Sequence, residues 1–194
     1  PYLLAAGIAS DWPYGRGVYI SEDKGFIIWV GEEDHLRIMC MEKGTILNRV
    51  FDRLKAALDV VNEIEGMEFA MSPDYGVVTS CPTNLGTGMR VTLRLHLPCL
   101  GADPLALTAV CSQLLRQLTN ADAIVRPVKG LGGSQWDVST TASVGASEVV
   151  LVQSAITLTQ KLAELEARGL ATAGLITQNV DGCLLYTSPS PRDA

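Results

Sequence analysis

Residues 81–90 bring a thiol, a turn and a cation together within ten positions, and they read CPTNLGTGMR. Proline after Cys81 favours an extended backbone at the cysteine. Glycines at 86 and 88 let the chain turn and let a ligand approach the backbone closely. The turn also contains short hydrogen-bonding side chains, namely Thr83, Asn84 and Thr87. The run therefore places a thiol at a strand end and Arg90 at the start of the next strand, an arrangement suited to chemistry.

The strand predicted after the glycine turn concentrates cations on one face. Side chains alternate along a strand, so residues 90–97 divide into two faces. The apolar face consists of Val91, Leu93, Leu95 and Leu97. The polar face consists of Arg90, Thr92, Arg94 and His96. One interpretation is a solvated outer face. The other is a site for a phosphate-rich ligand, because the planar arginine fork grips phosphate oxygens in two-point contacts.

A second candidate cluster follows directly on an apolar run at 26–30 that predicts a buried strand. Residues 31–37 read GEEDHLR. If this segment is extended, Glu33, His35 and Arg37 point the same way. One interpretation is a charged edge turn, whose local ion pairs each contribute under ~1 kcal/mol. The other is a functional cluster.

Composition argues against several classes of protein. The formal charge of −6 over 194 residues argues against a nucleic-acid surface, which needs clustered cations. With 47% hydrophobic residues, one domain with a substantial core is expected. No run reaches the ~18 consecutive apolar residues of a membrane span, and no charged-then-apolar leader opens the chain. Five cysteines without paired spacings indicate reduced thiols, so we expect a cytoplasmic protein without nucleic-acid or membrane partners.

The order of predicted elements indicates an α+β fold, with an antiparallel β-sheet flanked by α-helices. Strands are predicted at 26–30, 36–41, 77–81, 89–97, 124–128 and 135–139. Helices are predicted from 45 to about 61, from 103 to about 118 and from 147 to 169. Asp103 is a cap residue for the second helix, and Gly169 is expected to end the third. The strands at 77–81 and 89–97 flank the glycine turn and predict a hairpin.

Both ends of the chain look artificial. The chain begins at Pro1 without a methionine, so we expect that an N-terminal portion is missing and that residues 1–182 form one truncated domain. Residues 183–193 read CLLYTSPSPRD, which is what the codons of a transposon-based sequencing adapter encode. We interpret 183–194 as adapter read-through that is not native, and we leave it out of the fold. The alternative is a disordered Ser/Pro tail.

Residues 81–87 match all seven positions of a cysteine motif, Cys-Pro-Ser/Thr-Asn-Ile/Leu-Gly-Thr. The chain thereby resembles the ATP:guanidino phosphotransferases, or phosphagen kinases, in which this motif lies at the active site. The resemblance extends through 6–17, 31–37 and 41–44, and it covers about 5–168. It implies the glutamine-synthetase-like C-terminal catalytic domain of that family. It also implies reversible in-line transfer of the γ-phosphoryl group of MgATP to a guanidino substrate such as creatine or arginine.

The resemblance also implies roles for individual residues. Glu33 matches the carboxylate that orients the guanidinium and accepts its proton, Cys81 matches the thiolate that contacts it, and Thr83 lies on the substrate side. The positions that match ATP-binding residues are Arg37, Arg90, Arg94, Arg126, Pro127, Val128, Lys129, Gly130, Leu131 and Asp137. Mg would come with ATP or ADP and would be held largely by phosphates and water, so no metal ligand is expected in the chain.

Two positions depart from the family pattern, and the second leaves the guanidino substrate open. Arg94 stands where the family usually has histidine beside the adenine, and an arginine can also stack on a flat ring. Leu131 stands where arginine kinases have a second glutamate, which argues against arginine as the substrate. Thr83, in contrast, is the residue that arginine kinases have at its position in the cysteine motif. The alternatives are a bacterial-type protein-arginine kinase and a catalytically impaired nucleotide-binding module. A homodimer is also left open.

Overall fold

The structure, a computed structural model, describes residues 12–44, 46–119, 122–128, 134–141, 144–173 and 180–186, with the backbone alone for 170–173 and 180–186. The strands in these residues are β1 (Gly17–Ile20), β2 (Phe26–Val30), β3 (Leu36–Glu42), β4 (Met71–Ser72), β5 (Gly76–Val77), β6 (Arg90–His96), β7 (Ala123–Pro127), β8 (Gln135–Thr140) and β9 (Val180–Tyr186). The helices are α1 (Leu47–Asn62), α2 (Pro104–Thr119) and α3 (Glu148–Ala173).

Seven strands form one antiparallel sheet in the order β1-β2-β3-β9-β6-β8-β7. The strands β4 and β5 pair separately as a two-stranded ribbon. The predicted α+β fold with an antiparallel sheet and flanking helices is therefore confirmed. Each strand predicted from its apolar alternation is present, apart from the one at 77–81.

One face of the sheet packs against all three helices. The alternation predicted for β6 is confirmed, because Val91, Leu93 and Leu95 are buried in this layer. The helices contribute Leu54 from α1, Leu107 and Leu115 from α2, and Leu158 and Leu162 from α3. Full burial of one such side chain stabilises the fold by roughly 1.5–3 kcal/mol. This apolar layer therefore holds the sheet against the helices. The opposite face of the sheet carries the polar side chains of β6. In the part of the chain that the structure describes, every helix is too short or too polar to cross a membrane.

The predicted hairpin between 77–81 and 89–97 is wrong. The strand β5 ends at Val77 and pairs with β4, and residues 78–81 follow an irregular path. Gly86, at φ +108°, folds the chain back so that it exchanges backbone hydrogen bonds with Val77, at 2.7 and 3.2 Å. The motif therefore forms a loop closed on β5, and β6 pairs with β8 and β9 instead.

The predicted end of the third helix is also wrong, because α3 continues past Gly169 to Ala173. A β-carbon at this glycine would lie 3.0 Å from the Cys99 β-carbon. Gly169 therefore allows α3 to approach the turn after β6 closely, rather than ending the helix. In the same contact Glu166, 5% exposed, accepts hydrogen bonds from the backbone N–H groups of Cys99 and Leu100 at 2.7 and 2.9 Å.

The strand β9 lies between β3 and β6, so residues 183–186 take part in the sheet. The adapter interpretation excludes this segment from the fold. The interpretation of 183–194 as non-native stays a prediction, because any extended segment can satisfy the backbone hydrogen bonds of two neighbouring strands.

Candidate active site

Four arginines lie on the sheet face that points away from the helices. Residues directly opposed in register share a face, and Asp137 on β8 is opposed to Arg94 on β6 and to Arg126 on β7. Arg90 is four residues before Arg94 on the same strand, so it lies on the same face. Across β9, the residue opposed to Arg90 is also opposed to Met39 of β3, which places Arg37 on this face as well. We call these four residues the arginine face.

Arg94 and Asp137, both predicted to bind ATP, contact each other. The Arg94 Nε and Nη2 atoms donate to the two carboxylate oxygens of Asp137, each at 2.8 Å. The side chains are 35% and 26% exposed. This two-point contact keeps the guanidinium plane of Arg94 in one orientation. A phosphate would have to compete with Asp137 for the same fork, whereas a flat ring could still stack on it.

Arg37 is buried and fixed from two sides. Its Nη1 atom lies 3.7 Å from Oε2 of Glu32, and its guanidinium carbon lies 5.2 Å from the centre of the Trp29 ring. The Glu32 side chain is 2% exposed. Removing one partner of a buried charge pair strongly destabilises the fold, because the other charge is left buried without compensation. Glu32 is not among the predicted site residues. It forms a local ion pair with Arg37, but the pair is buried, unlike the weak edge-turn pairs of the charged-turn interpretation.

Glu33 lies in a tight turn rather than in an extended segment. The backbone N–H of Gly31 donates to the His35 carbonyl at 2.9 Å, which closes residues 31–35 into a bend. Gly31 has φ +72°, and a β-carbon there would meet the carbonyl oxygen of Gly15. The extended segment on which a common direction of Glu33, His35 and Arg37 depends is therefore not formed. In the bend His35 is exposed and Glu33 is partly buried, whereas Arg37, on β3, is buried.

The Cys81 motif forms a compact turn. Cys81 is extended, at φ −96° and ψ 123°, as its position before proline predicts. Residues 82–84 form one 3₁₀ turn, in which the Asn84 N–H donates to the Cys81 carbonyl at 3.0 Å. The Thr83 hydroxyl oxygen lies 3.0 Å from the Cys81 sulfur. A thiol and a hydroxyl are thus presented side by side on a partly exposed loop.

Asn84 is buried in this motif but absent from the predicted site. It is 3% exposed, and its Nδ2 atom has no hydrogen-bond partner among the residues that the structure describes. Buried amide groups are nearly always hydrogen-bonded. Its place in the seven-residue motif is the signal that could have identified Asn84 as a candidate site residue.

One hydrogen bond brings the two halves of the candidate site together. The Asp34 Oδ1 atom accepts from the backbone N–H of Ser80 at 2.6 Å. The turn that carries Glu33 therefore lies beside the segment that carries Cys81. Pro127 and Val128 follow Arg126 at the end of β7. The predicted residues Lys129, Gly130 and Leu131 lie outside the described residues.

The described cysteines differ in their surroundings. Burial raises the pKa of Cys40 to about 11 and that of Cys111 to about 12. The pKa of Cys99 is raised by desolvation and, secondarily, by the negative charge of Glu166 and a hydrogen bond to it. Cys81 is partly exposed and lies on a loop.

We expect iodoacetamide to alkylate Cys81 first among these four thiols at pH 8. At that pH a thiol of pKa about 11 is only about one thousandth thiolate, and the thiolate is the reacting species, so Cys40 and Cys111 should react only after unfolding. Cys99 should be slower than Cys81. Peptide mapping by mass spectrometry over a time course measures the order, and equal rates for Cys81 and Cys111 would contradict it.

Comparisons with known proteins match most of the chain to one protein family. Residues 1–169 match the family model described as ATP:guanido phosphotransferase, C-terminal catalytic domain. The chain is 36% identical over 171 residues to creatine kinase B-type of Gallus gallus, an alignment that covers 87% of this chain and 44% of that protein. The chain thus spans less than half the length of this relative.

Two solved structures are similar to the fold. The duplicated taurocyamine kinase from Schistosoma mansoni with bound transition state analog components is 34% identical, with a TM-score of 0.67 over 80% of this chain and 20% of that one. Lombricine kinase is 27% identical, with a TM-score of 0.71 over 90% of this chain and 51% of that one.

Proposed function

Because the chain belongs to the ATP:guanido phosphotransferase family, we propose that it transfers the γ-phosphoryl group of MgATP reversibly to a nitrogen of a guanidino substrate. The observation that carries the proposal is the arginine face. A chain with a formal charge of −6 gathers four guanidinium groups on one face of its sheet. A nucleoside triphosphate is the simplest ligand that would use them together, because guanidinium groups bind phosphate oxygens in two-point contacts and can also stack on a flat ring.

On the nucleotide side, Arg37, Arg90 and Arg126 would bind the phosphates. They come from three strands, so their spacing is fixed by the sheet rather than by a flexible loop. Fixed cations around the transferring group stabilise the charge that develops on it without reorganisation at the moment of reaction. Arg94, oriented by Asp137, would stack on the adenine, with Pro127, Val128 and the predicted loop 129–131 alongside.

On the substrate side, Glu33, Cys81 and Thr83 would bind the guanidino group. A free guanidinium has a pKa above ~12 and is a poor nucleophile until a carboxylate is placed against it. The nitrogen attacks the γ-phosphorus in line, and the bond from that phosphorus to the β,γ-bridging oxygen breaks. The proton passes from the nitrogen to the Glu33 carboxylate, and ADP leaves. The Cys81 sulfur orients the guanidinium and forms no covalent bond.

The remaining parts of the proposal concern Mg, location and assembly. Mg binds phosphate oxygens and water readily, so it would come with the nucleotide. Cys40, Cys81, Cys99 and Cys111 are free thiols, which fits a reducing compartment such as the cytoplasm. We keep residues 1–182 as the catalytic domain, and a homodimer stays a prediction.

The test is a coupled turnover assay with MgATP and a panel of guanidines: creatine, arginine, taurocyamine and lombricine. It is run on the 194-residue chain and on any longer natural form that contains it. We expect ADP release that depends on one guanidine more than on the others. A protein-arginine kinase would instead modify arginine in a protein substrate.

The rival from another class is a nucleotide-binding module without turnover. The departure from the family pattern at Leu131 favours it. Isothermal titration with MgADP beside the turnover assay separates the two. Binding in every form of the protein without turnover on any guanidine would replace the kinase proposal with this module.

A further inference from the structure

We propose that Asp34 is a positioning residue that sets the distance between the Glu33 carboxylate and the Cys81 thiol. The meaning of that distance rests on the proposed function, whereas the contact itself is part of the fold. The Asp34 carboxylate accepts a hydrogen bond from the backbone N–H of Ser80 at 2.6 Å, across 46 positions in sequence. Asp34 directly follows Glu33, and Ser80 directly precedes Cys81, so this hydrogen bond joins the immediate sequence neighbours of the two site residues.

The Cys81 segment has its own internal hydrogen bonds, which fix its shape. The Val78 N–H donates to the Ala70 carbonyl at 2.8 Å, and Val77 exchanges hydrogen bonds with Gly86. The Thr79 hydroxyl donates to the Cys81 carbonyl at 2.8 Å. All of these partners lie between residues 70 and 86. They leave the placement of the segment relative to the Glu33 turn to contacts such as that of Asp34.

The Glu33 turn is fixed on its other side. Glu32, before Glu33, points inward to the buried Arg37, and the hydrogen bond between Gly31 and His35 closes the bend. The three consecutive acidic residues therefore have different surroundings. The first pairs with an arginine of the sheet, the second remains partly exposed, and the third reaches across to Ser80.

A carboxylate is well suited to this position. Hydrogen bonds from N–H to an ionised acceptor are shorter and stronger than neutral ones, and the bond from Ser80 to Asp34, at 2.6 Å, is short. Glu33 and Cys81 must share one small planar guanidinium, so their separation has little tolerance. A displacement of 1 Å costs about 10²-fold in the rate of a well-oriented reaction.

Three substitutions separate geometry from charge. Asp34→Ala removes the acceptor, Asp34→Asn keeps an acceptor oxygen without the charge, and Asp34→Glu keeps the charge but lengthens the side chain by one methylene. The matched control is Asp59→Ala, which removes an exposed carboxylate that pairs with Lys55 at 2.7 Å on α1. The readouts are turnover with the preferred guanidine, MgADP affinity, and the alkylation rate of Cys81 relative to Cys99 without substrate.

We expect Asp34→Ala to lower kcat/KM for the guanidine by about 10²-fold while MgADP affinity stays within twofold of the parent. Cys81 should alkylate at least about threefold faster, because its segment loses a contact that limits local opening. Asp34→Asn should restore most of both properties, and Asp34→Glu should fold but turn over slowly. Asp59→Ala should match the parent throughout.

The thiol readout keeps this inference separate from the proposed function. If the parent protein turns over no guanidine but Asp34→Ala still speeds Cys81 alkylation and Asp34→Asn reverses it, the kinase proposal fails and the positioning contact stands. If Asp34→Ala leaves the Cys81 alkylation rate unchanged, the positioning inference is wrong. Should Asp34→Ala fail to fold, Asp34→Glu decides, because parental turnover in that variant would also overturn the inference.

Discussion

Replacing Glu33 with glutamine is expected to lower kcat by at least about 10²-fold and to leave MgADP affinity little changed. Glutamine keeps the shape of the side chain in the 31–35 bend but cannot accept the guanidinium proton. The loss should therefore appear in the chemical step rather than in nucleotide binding. Steady-state kinetics with the preferred guanidine, beside isothermal titration with MgADP, measures both quantities.

The matched control is Glu42→Gln at the end of β3. Glu42 pairs with Arg49 at 3.1 Å, and its side chain is 30% exposed. Removing its charge should change either quantity by no more than about 0.5 kcal/mol. Parental turnover in Glu33→Gln would show that another group accepts the proton, and Glu33 would then lose its assigned role.

The sheet and its two faces could be predicted from sequence because alternation is a property of one strand at a time. Residues 90–97 alternate without a break, and burial of Val91, Leu93 and Leu95 fixes the opposite direction for Arg90 and Arg94. The conclusion did not depend on knowing which strands are neighbours.

The path of the chain around Glu33 could not be predicted in the same way. Alternation applies only where the backbone is extended, and the left-handed backbone at Gly31 begins a bend. The same failure explains the strand expected at 77–81, where a positive φ at Gly86 folds the motif back onto β5. Both places contain a glycine, which is compatible with a turn. Because glycine also allows other backbone conformations, its presence alone does not predict the turn.

Contacts between segments that are distant in sequence also could not be predicted from the sequence pattern. The Arg94–Asp137 contact requires the register of β6 against β8, and the Asp34–Ser80 hydrogen bond requires the irregular path of residues 78–81. Motif resemblance identified Arg94 and Asp137 as members of one site. It did not indicate that the two would engage each other, which bears on whether Arg94 is available to a phosphate.

Replacing Arg90 with lysine is expected to weaken MgADP binding and to lower kcat. Arg90 begins β6 on the arginine face and is 9% exposed. Lysine keeps the positive charge but loses the planar two-point fork, with roughly 1.5 to 3 kcal/mol at stake for a charge-assisted contact. That range corresponds to about 10- to 150-fold in affinity. Titration calorimetry with MgADP and the coupled turnover assay measure the two losses.

Because Arg90 is buried, the same substitution could act through the fold alone, and two further measurements distinguish the causes. Arg49→Lys, at an arginine that is 65% exposed, is the control and should change neither affinity nor turnover by more than about 0.5 kcal/mol. A ligand that binds only the folded state raises Tm according to its affinity, so MgADP should raise the Tm of the parent more than that of Arg90→Lys. Arg90→Lys could have a lower Tm than the parent and yet show the same rise in Tm on adding MgADP. In that case Arg90 stabilises the sheet and does not bind phosphate. The nucleotide would then depend on Arg37 and Arg126, and the arginine face would no longer support the proposed function as one shared site.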